Sequence, residues 1–366
     1  MYTLTLNTTY ILLNYGHIPD VAEFSFERLC PYMKQPIKVY LTPPEGQLPV
    51  LSWLMAKQLS NCRERYPELN SFRIIPIGEE EDWPIPRRIE SLEQVKPGRL
   101  ILLTASMYRG LGDMILMLPI LRGFSERLSA MGWSPRFGLT AAIEFAALLN
   151  GQPFLQEFLP ECPVMDQISP YDYAIEFGLN LERMKSFLGI QNWRDIDLRI
   201  RLNAPEKWVR KWQKRISSTR LRVFINWRSL DRQRSLTPSF FEDLLRAFPE
   251  CDFFTSQLEV FNNEHPLPDG ITNLTDSGSS LADLIGKLAN MDIVITTNTG
   301  IAHLAAALEK PTIVLFTGRL YGWEHYWPDL YKHLYPSMHA IGLEEGLQLQ
   351  EAELLTRLHK TMADIL

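Results

Sequence analysis

Ile295-Thr296-Thr297-Asn298-Thr299-Gly300-Ile301-Ala302-His303-Leu304-Ala305-Ala306-Ala307-Leu308-Glu309-Lys310-Pro311 is the stretch whose reading decides the fold. An apolar strand, Ile293-Val294-Ile295, ends in small hydroxyl residues and a glycine, and a helix from Ile301 to Leu308 begins at once. A second apolar strand, Thr312-Ile313-Val314-Leu315-Phe316, follows directly. Strand, helix and strand in this order predict a parallel sheet covered by helices. At the strand-to-helix turn the first amides of the helix have no intrahelical acceptor, so they can hold an anion such as a pyrophosphate. The hydroxyls of Thr297 and Thr299 can bond the same oxygens. His303, about one turn on, suits a ligand contact and a buried packing role equally well.

The same alternation extends in both directions. Strands at Leu221 to Ile225 and Asp252 to Phe254, with a helix from Ser280 to Ala289, complete one α/β unit. Upstream, the strand Leu100-Ile101-Leu102-Leu103, a helix from Met114 to Met131, and strands at Arg136 to Leu139 and Tyr173 to Phe177 form another. A turn at Ala204-Pro205-Glu206 opens a basic amphipathic helix, Lys207 to Arg215, at the junction. A chain of 366 residues is too long for one ordinary core. The fold class expected is therefore α/β, with two Rossmann-like domains, 96–205 and 206–366, facing a central cleft at the carboxyl ends of their strands. Residues 1–95 are punctuated by Pro36, Pro43, Pro44, Pro49, Pro76, Pro84 and Pro86. Strands at Ile37 to Leu41 and Phe72 to Ile77, with helical spacing from Val50 to Arg65, make that stretch a small α/β extension. The acidic run Glu79-Glu80-Glu81-Asp82 marks its exposed boundary.

Composition narrows the function classes. Hydrophobic residues at 46% with charged residues at 22% exclude a largely disordered chain. A formal net charge of -6 argues against nucleic acid as a partner, because phosphate backbones are met by basic surfaces. Cys30, Cys62, Cys162 and Cys251 lie far apart without a C-x-x-C pair, so neither a zinc site nor a disulfide framework is expected. They read as reduced thiols. The opening residues lack a leader pattern and no stretch suits a membrane span, so a cytoplasmic location is expected, with peripheral membrane contact left open. The basic, aromatic helix Trp208 to Arg215 has the composition of a polyanion or membrane surface, although such runs are usually solvated faces.

A second constellation is Arg109-Gly110-Leu111-Gly112-Asp113-Met114-Ile115-Leu116-Met117-Leu118-Pro119, between a strand and a helix. Its glycines let the backbone turn sharply and approach a ligand. Asp113 at the helix start can cap the helix or meet a substrate hydroxyl. Pro119 removes a helical backbone bond at about 3 kcal/mol, so something other than helix stability placed it there.

Taken together, Gly112-Asp113 with Pro119 on its helix and, far downstream, Asn298-Thr299-Gly300 with His303-Leu304-Ala305-Ala306-Ala307-Leu308 and Lys310-Pro311 resemble glycosyltransferase family 9, the bacterial ADP-heptose heptosyltransferases. Asn226-Trp227-Arg228, Arg232-Gln233-Arg234-Ser235, Thr255-Ser256-Gln257 and Trp323-Glu324-His325-Tyr326-Trp327-Pro328 also resemble the glycosyltransferase-like modules that follow tetratricopeptide repeats. The resemblance covers roughly residues 99 to 340 and implies the GT-B fold. It implies an inverting, metal-independent transfer of a heptose or hexose from a nucleoside-diphosphate sugar, with Asp113 as catalytic base. On the donor side it places Asn226, Arg234, Gln257, Thr297, Asn298, Thr299, Gly300, His303 and Trp323, the last stacking on a base or sugar. On the acceptor side it places Arg109, Gly110 and Gly112. No cofactor or metal is expected beyond the donor, and the only Asp-x-Asp spacing, Asp195-Ile196-Asp197, reads as a solvated turn. The acceptor expected is a saccharide, a lipid-linked saccharide or a protein hydroxyl, in cell-envelope glycan synthesis or protein glycosylation. Two departures from the family stand out: Asn298 where the family has aspartate, and Arg234 where it has a phosphate-binding lysine, a change that keeps the charge and adds a forked donor. About 95 residues also precede the point where the family begins, and they are where a particular acceptor would be specified. Competing readings are a non-catalytic nucleotide-sugar or carbohydrate-binding module of the same fold, which Asn298 makes conceivable, and a nucleotide-sugar epimerase.

Overall fold

The computed structural model describes residues 10–14, 22–24, 37–39, 50–51, 72–76, 87–88, 94, 96, 100–104, 111–132, 136–141, 145–149, 152–160, 170–176, 185–186, 188–192, 195–227, 235–256, 267–276, 280–316, 327–342 and 350–365. The chain divides into two compact units. One comprises 1–109 with 121–195, and the other comprises 110–120 with 196–366.

In the first unit, β1 (Tyr10–Asn14) pairs antiparallel with β4 (Val50–Leu51) and β5 (Phe72–Pro76), while β2 (Ala22–Phe24) pairs antiparallel with β3 (Ile37–Val39). The strands expected at Ile37 and Phe72 are present. The helix expected from Val50 does not take in its first two residues, because Val50 and Leu51 are extended against Ile11 and Tyr10. Val50 is β-branched and follows Pro49, and ladder hydrogen bonds outweigh the local spacing that suggested a helix. The rest of that expected helix lies outside the described residues.

The main sheet of this unit is five-stranded, in the order β6 (Arg87–Arg88), β10 (Tyr173–Glu176), β7 (Leu100–Thr104), β8 (Arg136–Ala141), β9 (Leu155–Pro160), and is parallel throughout. It therefore draws a strand from residues preceding 96. After β7 comes helix α1 (Leu111–Ala130), and between β8 and β9 a short helix α2 (Ala146–Leu149). The α1 side chains Met114, Ile115, Leu121, Phe124 and Leu128 are fully buried. Phe124 meets Phe137 of β8 at 5.1 Å between ring centroids, so the second half of the helix, which belongs to this unit, packs on its sheet through aromatic contact.

The second unit is a six-stranded parallel sheet in the order β13 (Ile271–Asn273), β12 (Cys251–Thr255), β11 (Leu221–Asn226), β14 (Ile293–Thr297), β15 (Thr312–Leu315), β16 (Met338–Ile341). Chain order runs outward from β11 on one side and from β14 on the other, so direction reverses between those two strands, which is where open α/β sheets bind ligands. Its helices are α3 (Glu206–Gln213), α4 (Pro238–Ala247), α5 (Leu281–Ala289), α6 (Gly300–Ala307), α7 (Trp327–Leu334) and α8 (Glu351–Ile365). One face of the sheet presents Val223, Ile225, Ile293, Ile295, Ile313 and Leu315 to Phe241 and Leu244 of α4 and to Leu354, Leu358 and Met362 of α8. This alternation of strand side chains between two covered faces is what a parallel sheet requires.

The basic helix α3 is not a free cationic face. Trp212 is buried, and its indole N–H donates to Asp283 Oδ1 at 2.9 Å. Lys211 reaches the same carboxylate at 2.6 Å, and Arg215 bonds Asp276 at 2.6 Å. Lys287, with no exposed side-chain area, pairs with Asp283 at 2.9 Å and donates to Ser256 Oγ at 3.1 Å. α3 approaches α5 so closely that a Cβ on Gly286 would lie 2.7 Å from the Trp208 carbonyl oxygen. Lys211 and Arg215 are thus paired with distant acidic residues, whereas Lys207, Arg210 and Lys214 stay exposed, as a solvated face would have them.

Candidate active site at the switch point of the second unit

The carboxyl ends of β11 and β14 carry Asn226 and Thr296, which are paired across the two strands. Asn226 Nδ2 donates to Thr296 Oγ1 and to Thr299 Oγ1, each at 3.2 Å. Thr296 in turn donates to the Thr297 carbonyl at 2.9 Å. With that proton committed, Thr299 is the hydroxyl with a proton to offer, and its contact to Thr296 is a long 3.3 Å. Thr299 is the N-cap of α6, in extended backbone, yet its side chain makes no cap bond. An N-cap threonine ordinarily accepts from the second or third amide of its helix. Here the hydroxyl is turned to Asn226, while Ala302 N–H bonds the Thr299 carbonyl at 3.0 Å; the start of α6 is the positive end of the helix, where an anion is favoured.

Thr297 is fully buried, and its Oγ1 has no hydrogen-bond partner among the described residues. Its hydroxyl therefore faces the protein interior, whereas that of Thr299 is partly accessible. Asn298 is buried at 4% exposure, so the change from a carboxylate to an amide at this place removes a charge from the interior. His303 is also buried, with Nδ1 2.9 Å from the Tyr335 hydroxyl.

Residues 110–120 cluster with this unit, and they bring the start of α1 to the start of α6. A Cβ on Gly300 would stand 2.7 Å from Leu111 Cβ and 3.2 Å from the Gly112 amide nitrogen. A Cβ on Gly112 would stand 2.7 Å from His303 Cδ2. Both glycines are thus demanded by close approach, since any side chain would push the two helix starts apart. Asp113, half-buried, occupies the first turn of α1 immediately after this contact.

The structure brings Asp113, Gly112, Asn226, Thr297, Asn298, Thr299, Gly300 and His303 into this one unit. Arg109, Gly110, Arg234, Gln257 and Trp323 lie outside the described residues, as do Arg228 and Arg232. The residues flanking the arginine segment are described, and Leu236 N–H donates to the Trp227 carbonyl at 3.1 Å. Asp195 and Asp197 are exposed and accept from the amides of Asn192 and Arg199, a solvated turn. Among the described residues no group of three or more His, Cys, Asp or Glu is placed to hold a metal ion, and no helix is long and apolar enough to cross a membrane. Sequence reading did not single out Tyr335 or the bond from Thr296 to its neighbours; no local pattern marks either.

Two parallel α/β units, one of them doubly wound with a switch point between β11 and β14, are the make-up of the two-Rossmann GT-B class. The model of Glycosyltransferase family 9 (heptosyltransferase) matches residues 272–321, which hold β14 and α6. Among solved structures, the chain resembles the ADP-heptose lipopolysaccharide heptosyltransferase II of E. coli at 15% identity and TM-score 0.52, covering 73% of this chain and 99% of that one. It also resembles a family 9 glycosyl transferase from Veillonella parvula at 13% identity and TM-score 0.52, covering 74% of this chain and 97% of that one. No curated protein matches the sequence. The matched segment is thus similar to glycosyltransferase family 9, and the fold resembles that of these two glycosyltransferases.

Proposed function

We propose that this protein transfers a heptose or hexose, with inversion, from a nucleoside-diphosphate sugar to a hydroxyl of a saccharide, a lipid-linked saccharide or a protein. The observation that supports the reading is the close approach of the two helix starts, where a Cβ on Gly300 would stand 3.2 Å from the Gly112 amide nitrogen, next in sequence to Asp113. Inverting transfer needs a base for the acceptor proton on one face of the sugar and stabilisation of the departing diphosphate on the other. Asp113 is the base. The amides at Thr299-Gly300, the Thr299 hydroxyl and the guanidinium of Arg234 meet the charge that grows on the diphosphate, so the mechanism asks for no metal. The E. coli relative acts on ADP-heptose by its name, and an ADP-sugar is accordingly the first donor to try. We place the protein in the cytoplasm, where its donor class is available, with acceptor preference set by residues 1–95.

A thermal-shift screen of ADP-, UDP-, GDP- and dTDP-sugars tests the donor reading, because a ligand bound only by the folded form raises its melting point. No shift with any of the four refutes it. Turnover of donor alone, without an acceptor and with the sugar rearranged, would instead identify an epimerase, and binding without turnover a recognition module.

A further inference from the structure

The histidine of the α6 turn is held from behind by a residue far outside that turn. His303 Nδ1 and the Tyr335 hydroxyl lie 2.9 Å apart, and their rings meet edge to face at 5.6 Å. Tyr335, just past α7, is fully buried, and His303 keeps 4% of its surface. The opposite edge of the imidazole lies against Gly112, where an added Cβ would stand 2.7 Å from Cδ2 and 3.1 Å from Nε2. All three residues belong to the second unit. A phenol can donate or accept and a neutral imidazole nitrogen can do either, so the direction of this bond goes with the tautomer: a hydroxyl that donates to Nδ1 leaves the ring proton on Nε2. Burial pushes the Tyr335 hydroxyl well above its ordinary pKa, which keeps the phenolic proton in place.

We infer that Tyr335 is a positioning residue that locks His303 in its Nε2–H tautomer, so that an N–H donor faces the turn carrying Asp113. A neutral imidazole has one ring proton, and with Nδ1 engaged as acceptor that proton sits on Nε2. The edge beside Gly112 then has no lone pair with which to take a proton. Resting on the transferase reading, the consequence is a division of labour. Asp113 alone removes the acceptor proton, and the imidazole N–H adds a fixed donor beside the first amides of α6. A histidine free to change tautomer would present a base there half the time and blunt both roles.

The test is a long-range proton–nitrogen correlation spectrum of the full chain labelled with 15N-histidine. His303→Gln assigns the signal among the seven histidines. Expected in the wild type is a protonated Nε2 and a bare Nδ1. In Tyr335→Phe the two nitrogens shift toward an averaged pair, and turnover falls about tenfold on whichever of the four nucleotide sugars the wild type uses. A wild type with its proton on Nδ1, a Tyr335→Phe spectrum with unchanged His303 nitrogens, or normal turnover despite changed nitrogens overturns the inference. If Tyr335→Phe does not fold, the wild-type spectrum decides alone. A wild type that turns over none of the four sugars counts against the transferase reading, while the tautomer is still read on the enzyme by itself.

Discussion

Gly300→Ala is expected to destabilise the second unit, even though alanine is the better helix former. In an unobstructed helix the exchange gains roughly 0.5–1 kcal/mol. Here the new Cβ would lie 2.7 Å from Leu111 Cβ, 3.1 Å from Leu111 Cγ and 3.2 Å from the Gly112 nitrogen. Two of these obstacles are a Cβ and a backbone atom, so no rotamer change relieves them. Met114 and Ile115, just beyond on the same helix, are fully buried and resist displacement. Overpacking of this kind costs about 1–3 kcal/mol. The net loss is up to about 2.5 kcal/mol with a central value near 1, and each kcal/mol lowers Tm by roughly 2–4 °C for a unit of this size. Separating the helix starts also moves Asp113 away from the proposed diphosphate site, and on that proposal a misplacement near 1 Å costs on the order of a hundredfold in kcat/KM. Thermal and urea denaturation, read beside a transfer assay, measure both effects. A Tm that rises, as helix propensity alone would have it, together with unaltered turnover would show that the two helix starts do not touch.

Asp113→Ala is expected to reduce transfer by about 10² to 10⁴ while nucleotide-sugar affinity by calorimetry stays within about threefold; full turnover removes Asp113 from the mechanism. Arg234→Ala should weaken donor binding by about tenfold or more, and an unchanged affinity dismisses it as a phosphate ligand. Asp283→Ala strands Lys287 in the interior and should cost about 3–5 kcal/mol in urea unfolding. Adding Lys287→Met should recover most of that loss, and no recovery would show that the buried pair is not the cause. Hydrogen bonds from the Arg222 guanidinium hold the Asp292 carboxyl below the ordinary carboxylate range. A depressed folded pKa gives stability that is complete above the unfolded value of about 3.9 and is lost as pH falls through the lower folded value. Asp292→Asn should therefore flatten the loss of stability below about pH 4, and an identical acid profile refutes the assignment.

How much of this was legible beforehand depended on sequence distance. Strand β14, helix α6 and strand β15 lie within some two dozen residues, so apolar runs and the small turn residues between them specify each element locally. The order of the six strands was open only as a class, since register is set by pairings such as Val223 with Ile293, seventy positions apart. Edge strands β13 and β16 escaped notice because runs of three and four residues carry too little pattern. Helix α3 showed its charges but not their partners on and before α5. The turn motifs revealed Gly112, Gly300 and His303 separately. That they touch one another is a fact of packing across roughly 190 residues, and no local signal announces it.

Because residues 110–120 belong with the second unit, the proposed base and the start of α6 lie in the same compact unit. Selection can then rewrite the remainder of the first unit, residues 1–95 included, toward new acceptors without retuning the bond-breaking end. A lineage built this way would diversify its products while its donor chemistry stayed fixed, and grafted first units should exchange acceptors without loss of nucleotide-sugar binding.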